Sequence, residues 1–432
     1  MLDINFIREN SELVVTKSKQ KGYDVDIAKL LQIDSKRRQL QTEADNLRKE
    51  RNQLSAALKG RRPSEEEQLK GRKLKEDLAV IEDQLKPIEG EYMTLLKSVP
   101  NLPLEDVPVG YSEDENVVSK VVGSPRKFDF QPKTHHEIGE KLGLIDKTRA
   151  AKISGSRFVY LKGDLVRLQL ALMNFVMGQL TDTSLIEKLI SENNLNIPIK
   201  PFTPVLPPAL IKTEPYQASS RLNAEEMTYR LAQDDLWLNA SAEHSLCTMY
   251  WDEIIAEADL PIRYIGYSTS FRREAGSYGK DVEGIFRMHQ FDKLEMEVFS
   301  IPEKGLAEHK LLVAIQEHLV SSLGLPYQLI KKCTFDIGKP NAGGIDINTW
   351  FPAQSNYRET HTADYMTDYQ ARDLSIRVKR LEGPLELVHT NDATAFAMGR
   401  ILAAIIENYQ DKNGHIEVPH VLVPYMNGQS HI

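Results

Sequence analysis

Cysteine is nearly absent from this chain: 2 residues in 432, Cys247 and Cys333. They stand far apart without the paired spacing of a zinc site, so no zinc is expected and reduced thiols are the plain reading. Tryptophan is scarce too, at 3 residues, and aromatics make up only 7% of the chain. No apolar run is long enough to cross a bilayer, so no membrane partner is expected. The opening Met-Leu-Asp-Ile-Asn lacks the layout of a secretory signal, so the cytoplasm is expected. A basic excess is missing as well. The net charge of −8 excludes a uniformly cationic coat but leaves room for a local nucleic-acid patch. Neither Gly-x-x-x-x-Gly-Lys-Ser/Thr nor Gly-x-Gly-x-x-Gly occurs, so a nucleotide would need another cradle. There is no internal repeat.

What is present divides the chain in two. From about residue 27 to 100, apolar residues recur at steps of three and four. Leu30, Ile33, Leu40, Ala44, Leu47, Leu54 and Leu58 form one stripe, with Arg37 and Arg51 at seam positions. Leu74, Leu78, Ile81, Leu85, Ile88, Tyr92 and Leu95 form a second. Narrow stripes of this kind read as coiled coil. Between them Lys59-Gly60-Arg61-Arg62-Pro63 breaks the helix, and Ser64 with Glu67 makes a capping box for the return. The expectation is one antiparallel hairpin projecting roughly 45 Å into solvent, at ~1.5 Å per residue. Basic residues follow it: Lys36, Arg37, Arg38, Arg48, Lys49 and Arg51 outward, Lys70, Arg72, Lys73 and Lys75 returning. A solvated charged face is the alternative reading.

A Pro-rich acidic stretch, Asn101 to Asn116, then marks a boundary, giving an arm with linker over 1–110 and a second domain over 111–432. The second domain mixes elements irregularly. Helices are expected at 134–142, 164–194, 304–323 and 392–409. Strands are expected at 157–161, 202–206, 262–271, 283–299, 328–335, 344–351 and 384–389. This pattern predicts an α+β fold with a largely antiparallel sheet.

The chemistry concentrates in residues 270–297. Arg272 and Glu274 precede a Gly-bearing loop, and a strand-like run returns with Arg287, His289 and Glu295. Such a hairpin can lay a planar guanidinium on a phosphate while a carboxylate reads an amine. These residues resemble motif 2 of class II aminoacyl-tRNA synthetases, in the form carried by seryl-tRNA synthetases. The likeness extends along the chain. His135–Glu140 through Lys162-Gly163 is similar to the entry of that catalytic domain. Phe202–Pro208 resembles motif 1, with Pro208 at the proline position, which implies a homodimer. Asn391–Gln410, with Gly399-Arg400, resembles motif 3.

The resemblance implies a ligase that joins serine to ATP as seryl-adenylate and passes the seryl group to tRNA(Ser), with tRNA(Sec) as a candidate further substrate. It gives the hairpin to the long variable arm and elbow of the tRNA, bound across subunits. It implies Mg²⁺ with ATP, on Glu359 and Thr362. It gives ATP to Arg272, Arg273, Glu274, Met288, Glu359, Thr360, His361, Thr362 and Arg400. Arg272 and Arg400 would be catalytic, on the α- and γ-phosphates, with Glu274 on the adenine amine. It gives L-serine to Ser241, Ala242, Glu243, Arg272, Glu295, Asp392 and Thr394. Some positions depart from the common bacterial pattern. His361-Thr362 replaces Ser-Ser, Asp392 replaces Asn, Ser241 replaces Thr and Asn348 replaces Glu. The chemistry offers His361 no proton-transfer task. Two rival readings are a synthetase-like ligase loading a carrier protein, which would lack the hairpin, and a non-catalytic tRNA-binding paralogue, which would lose the phosphate and metal ligands.

Overall fold

The structure is a computed structural model that describes residues 1–222, 227–274 and 284–432. The Gly-bearing loop after Glu274 lies outside the described residues. The helices are α1 Ile4–Glu9, α2 Ser11–Gln20, α3 Ile27–Ala57, α4 Glu65–Ser98, α5 His135–Lys141, α6 Lys147–Ser154, α7 Asp164–Leu180, α8 Thr183–Glu192, α9 Thr213–Ala218, α10 Ala242–Leu246, α11 Gly305–Ser322, α12 Tyr369–Leu374 and α13 Met398–Asn408. The strands are β1 Val117–Val122, β2 Ile145–Asp146, β3 Tyr160–Leu161, β4 Thr203–Val205, β5 Leu210–Lys212, β6 Leu236–Leu238, β7 Ile254–Ala256, β8 Ile262–Phe271, β9 Gln290–Ser300, β10 Tyr327–Lys331, β11 Gly343–Phe351, β12 Asn356–Thr367, β13 Arg377–Lys379, β14 Leu385–Leu387 and β15 His389–Ala397.

The chain separates into two compact units, Met1–Leu102 and Pro103–Ile432. The break falls near the start of the acidic stretch, ahead of the expected 110, because most of that stretch is bonded into the second unit. The Leu104 N–H donates to the Ala342 carbonyl, the Thr334 N–H donates to the Pro108 carbonyl, and β1 pairs with β10.

The first unit is a helical hairpin with a small base. α3 and α4 meet along Leu30, Leu40, Ala44, Leu74, Leu78, Leu85 and Tyr92, all buried. The Ser64–Glu67 capping box forms as the sequence pattern requires, and Gly60 turns the chain at φ 85°. Arg37 is accommodated within the seam: its guanidinium lies 4.4 Å from the Tyr92 ring centre and 3.4 Å from buried Asp34. Arg51 points to solvent, as do Lys36, Arg38, Lys49, Lys70, Arg72, Lys73 and Lys75.

The second unit is built on an eight-stranded sheet of order β1-β10-β11-β12-β15-β9-β8-β4, antiparallel except for the β4–β8 pair. α11 packs across β15 and β12. The sequence pattern misplaces two central strands. The segment 392–397 is the end of β15, not the start of a helix, and β12 is not foreseen at all. Both strands are buried over most of their length, so they lack the period-two alternation that marks a half-exposed strand. The expected helix 164–194 is two helices, separated where Asp182 caps α8.

Candidate active site

Strand alternation and two bulges assemble the site. On β9, Lys293, Glu295 and Glu297 point to one face, and on β15 Asp392 and Thr394 do the same. Glu295 stands opposite Thr394 on one side and Gly266 of β8 on the other, while Glu297 stands opposite Asp392. A side chain at Gly266 would meet Leu246 at 2.7 Å, so glycine lets α10 rest on the sheet. The β11–β12 register slips between Ile347 and Asn348. This slip allows Glu359, Thr360 and Thr362 to line one pocket despite their odd spacing. The β12–β15 ladder stops at Ala363–Ala393. Beyond it, buried Gln316 of α11 donates to the Thr362 carbonyl at 2.7 Å and the Thr394 carbonyl at 2.8 Å, closing the back of the gap.

One end of this pocket is cationic. Arg272 follows β8, donates from Nε to the Ala240 carbonyl at 3.1 Å and holds its guanidinium 5.3 Å from the Phe291 ring centre. Its backbone is tied to His289 in both directions, at 2.9 Å each. Glu274 is buried at φ 48° and accepts from Arg287 at 3.3 Å. Arg400, in the first turn of α13, donates to Glu359 at 2.7 Å and lies 5.2 Å from the Phe286 ring centre. No side chain caps α13, and Ala397, Gly399 and Arg400 line the pocket, so its N-terminal dipole faces the same space. A Cβ on Gly399 would stand 2.2 Å from the Ile285 carbonyl oxygen.

Burial works against ionisation of Glu359, yet Arg400 and Lys332 draw its carboxyl below the ordinary range. Glu359 keeps half its side chain exposed toward the pocket. A divalent ion needs hard oxygen donors. An ionised, accessible carboxylate beside the Thr362 hydroxyl fits that need, and buried Asp346, its Oδ1 3.4 Å from the Lys332 ammonium, lies on the strand position opposite Thr362.

Behind Lys293 and Thr394 of the pocket wall lies a buried acidic cluster. Lys293 reaches Glu295 at 2.5 Å and Ser241 at 3.2 Å, and Ser241 donates to Glu295 at 3.2 Å. Burial lifts the Glu295 carboxyl to about 7, against the pull of Lys293. The Ala240 N–H points at His244 Nδ1, which leaves Nε2–H to donate to Glu243, 3.2 Å away. Although burial opposes it, Arg221 holds Glu243 well below the ordinary carboxylate range. Glu243, Glu295 and Asp392 each bring an oxygen within 4.8 Å of the others. Arg221 and Lys293 already supply cations there, which suits an ammonium-binding network better than a metal centre.

Of the residues singled out from sequence, Arg272, Glu274, Met288, Lys293-linked Glu295, Glu359, Thr360, Thr362, Thr394 and Arg400 converge on this pocket and the acidic cluster behind it. Four of the others do not line it. Arg273 is exposed with its guanidinium 5.6 Å from the Tyr229 ring centre. His361 turns into the core against Phe396, its Nε2 unbonded, and burial depresses its pKa to about 3. Asp392 is turned to Arg221. Ala242 is fully buried in α10. Phe291, Lys293 and Arg221 were not legible as site residues. Phe291 and Lys293 follow the strand period that selects Glu295, a signal that could have found them. Arg221 lies in a loop far upstream and carries no such signal.

An eight-stranded antiparallel-dominated sheet with an arginine-lined pocket and an uncapped helix end is the core of a class II aminoacyl-tRNA synthetase. Residues 227–409 match the family model described as tRNA synthetase class II core domain (G, H, P, S and T), and residues 1–103 match the seryl-tRNA synthetase N-terminal domain. The chain is 39% identical to the serine–tRNA ligase of Thermodesulfovibrio yellowstonii and 37% identical to that of Methanoregula boonei, each alignment covering 99% of both chains. The structure of the Pyrococcus horikoshii seryl-tRNA synthetase complexed with ATP superposes with a TM-score of 0.86 at 34% identity, covering 100% of this chain and 99% of that one. The Naegleria fowleri cytoplasmic serine–tRNA ligase in complex with AMP gives 0.83 at 28% identity, over 100% and 98%. This chain belongs to the seryl-tRNA synthetase family.

Proposed function

We propose that the chain activates L-serine with ATP and transfers the seryl group to tRNA(Ser). The observation that carries this reading is a pocket lined by arginines and a helix N-terminus whose wall residues Lys293 and Thr394 contact a buried cluster of carboxylates and hydroxyls.

In this reading the serine carboxylate oxygen attacks the α-phosphorus of ATP. The bond from that phosphorus to the bridging β-phosphate oxygen breaks, and pyrophosphate leaves. Arg272 stabilises the charge gathered on the α-phosphoryl oxygens, and Arg400 with the α13 end takes the γ-phosphate. Phe291 offers the base an aromatic face, and Glu274 accepts from its amine. Glu359 and Thr362 would hold Mg²⁺, which supplies charge neutralisation between phosphates when bound. Glu243 takes the serine ammonium, while Glu295 and Thr394 bond the hydroxyl. A site built to bond a hydroxyl leaves these groups unpaired with alanine, which is the basis of selection. A hydroxyl of the tRNA's terminal adenosine then attacks the acyl carbon and AMP departs.

The exposed basic residues of the hairpin suit phosphate and shape recognition of RNA, whose narrow major groove hides its bases. A carrier-protein ligase is not favoured, since the arm is present and matches the seryl-tRNA synthetase N-terminal domain. A homodimer is part of the proposal: β4 is an open sheet edge, and Leu206 beside it is 79% exposed. The cytoplasm, where charged tRNA is consumed, is the proposed compartment. Among the described residues no helix is long and apolar enough to cross a membrane. The test is attachment of labelled serine to purified tRNA. Acid-precipitable, ATP-dependent label on tRNA(Ser) is expected, and its absence with active-site-titrated protein would overturn the reading.

A further inference from the structure

The acidic cluster behind the pocket contains more carboxyl groups than binding one small ammonium requires. Four buried carboxylates cluster there: Glu243, Glu295, Glu297 and Asp392. Asp392 stands where the family pattern noted above has a neutral asparagine. A buried carboxylate without a partner is strongly destabilising, so something must offset it. Arg221 does so. Its Nε lies 3.2 Å from Glu243 Oε1, and its Nη2 donates to Asp392 Oδ2. The guanidinium is mostly buried and also touches the Met366 sulfur at 3.8 Å. It is faced by Glu243 from α10, Asp392 from β15, and Glu297 and Asp364 from β9 and β12. Lys293 serves Glu295 instead.

This arrangement has a directional consequence. Arg221 and His244 both approach Oε1 of Glu243. The second oxygen, Oε2, is then the one presented to an ammonium. We propose that Arg221 is a positioning residue for the amino-acid substrate: it clasps Asp392 and Oε1 of Glu243 together, so that Oε2 receives the ammonium and Asp392 adds no free charge. The proposal rests on the reading of this pocket as the amino-acid site.

Two single changes should therefore damage the site in different ways. Arg221→Met leaves two carboxylates facing each other with no cation between them. Asp392→Asn leaves Arg221 with Glu243 as its one remaining ion-pair contact among the described residues, competing with the substrate ammonium. Made together, the changes remove a cation and an anion at once and restore the balance.

The test is a double-mutant cycle in ATP–pyrophosphate exchange on the full chain, using serine and the other nineteen amino acids in parallel. Each single variant should raise the KM for serine about tenfold or more. The KM for ATP should stay within about twofold, and the double variant should return to within about threefold of the parent. An unchanged serine KM in Arg221→Met, or a double-variant loss equal to the product of the single losses, overturns the proposal. Should circular dichroism show Arg221→Met unfolded, Arg221→Lys replaces it. A lysine cannot bridge both acids, so the serine KM should rise about threefold, and no change overturns the assignment. If the parent protein ignores serine but uses another amino acid, the functional reading fails and the cycle is scored on that amino acid. If no amino acid supports exchange, both fall.

Discussion

Arg272 and Arg400 reach the pocket from distant parts of the chain, and an aromatic ring flanks each guanidinium. Fixed cations of this kind need no rearrangement as phosphate charge develops. Arg272→Ala should lower serine-dependent exchange by about a hundredfold or more while leaving the melting curve close to the parent's. Near-normal exchange would contradict its role. His361 makes a different prediction. Its ring is buried and neutral, with a pKa depressed by burial to about 3, whereas an unfolded histidine titrates near 6.5. The folded pKa lies below the unfolded one, so stability is fully present above about 6.5 and is lost as pH falls toward 3. Between pH 7 and 5 this single group removes roughly 2 kcal/mol. His361→Gln should therefore lose less melting temperature over that interval than the parent, with ATP affinity little altered. A parallel acid limb in both proteins would contradict the burial account. Sequence likeness had put His361 beside ATP. The register slip in β12 turns it inward, and no sequence period announces such a slip.

At the scale of elements, the outer features were legible and the inner ones were not. The hairpin announces itself through its three-four stripe, its Gly-Pro turn and its capping box, because one face of each helix is wet. β8 and β11 read correctly as apolar, β-branched runs. β12 and β15 did not. With little solvent on either face they need no alternation, and Ala393, Ala395 and Ala397 imitate helix composition. The site inherits this blindness: Glu359 and Thr394 were found only through family likeness, not through any pattern of their strands. Two predictions belong here. Gly399→Ala forces a methyl against the Ile285 carbonyl and must shift the first turn of α13. Exchange should fall about tenfold or more, with a lowered melting temperature. Unaltered activity would show that Arg400 does not depend on that close approach. Replacing residues 36–90 by a short turn should leave serine-dependent exchange largely intact and abolish transfer to tRNA. Equal loss of both activities would contradict a division of labour between the two units.

For the whole molecule, the open edge at β4 bears on assembly. Leu206 and its prolines lie beside the edge strand rather than under a helix, which suits burial against a second copy. Leu206→Asp should shift the mass measured by light scattering from dimer to monomer at micromolar concentration. A parent protein that is already monomeric would remove the proposed interface. The central claim is that a single cavity selects serine by its hydroxyl and ammonium while arginines hold ATP. It is tested most directly by ATP–pyrophosphate exchange with serine, threonine, alanine, glycine and cysteine side by side. Exchange with serine far above all four others is the predicted result, and alanine or threonine matching serine would contradict it.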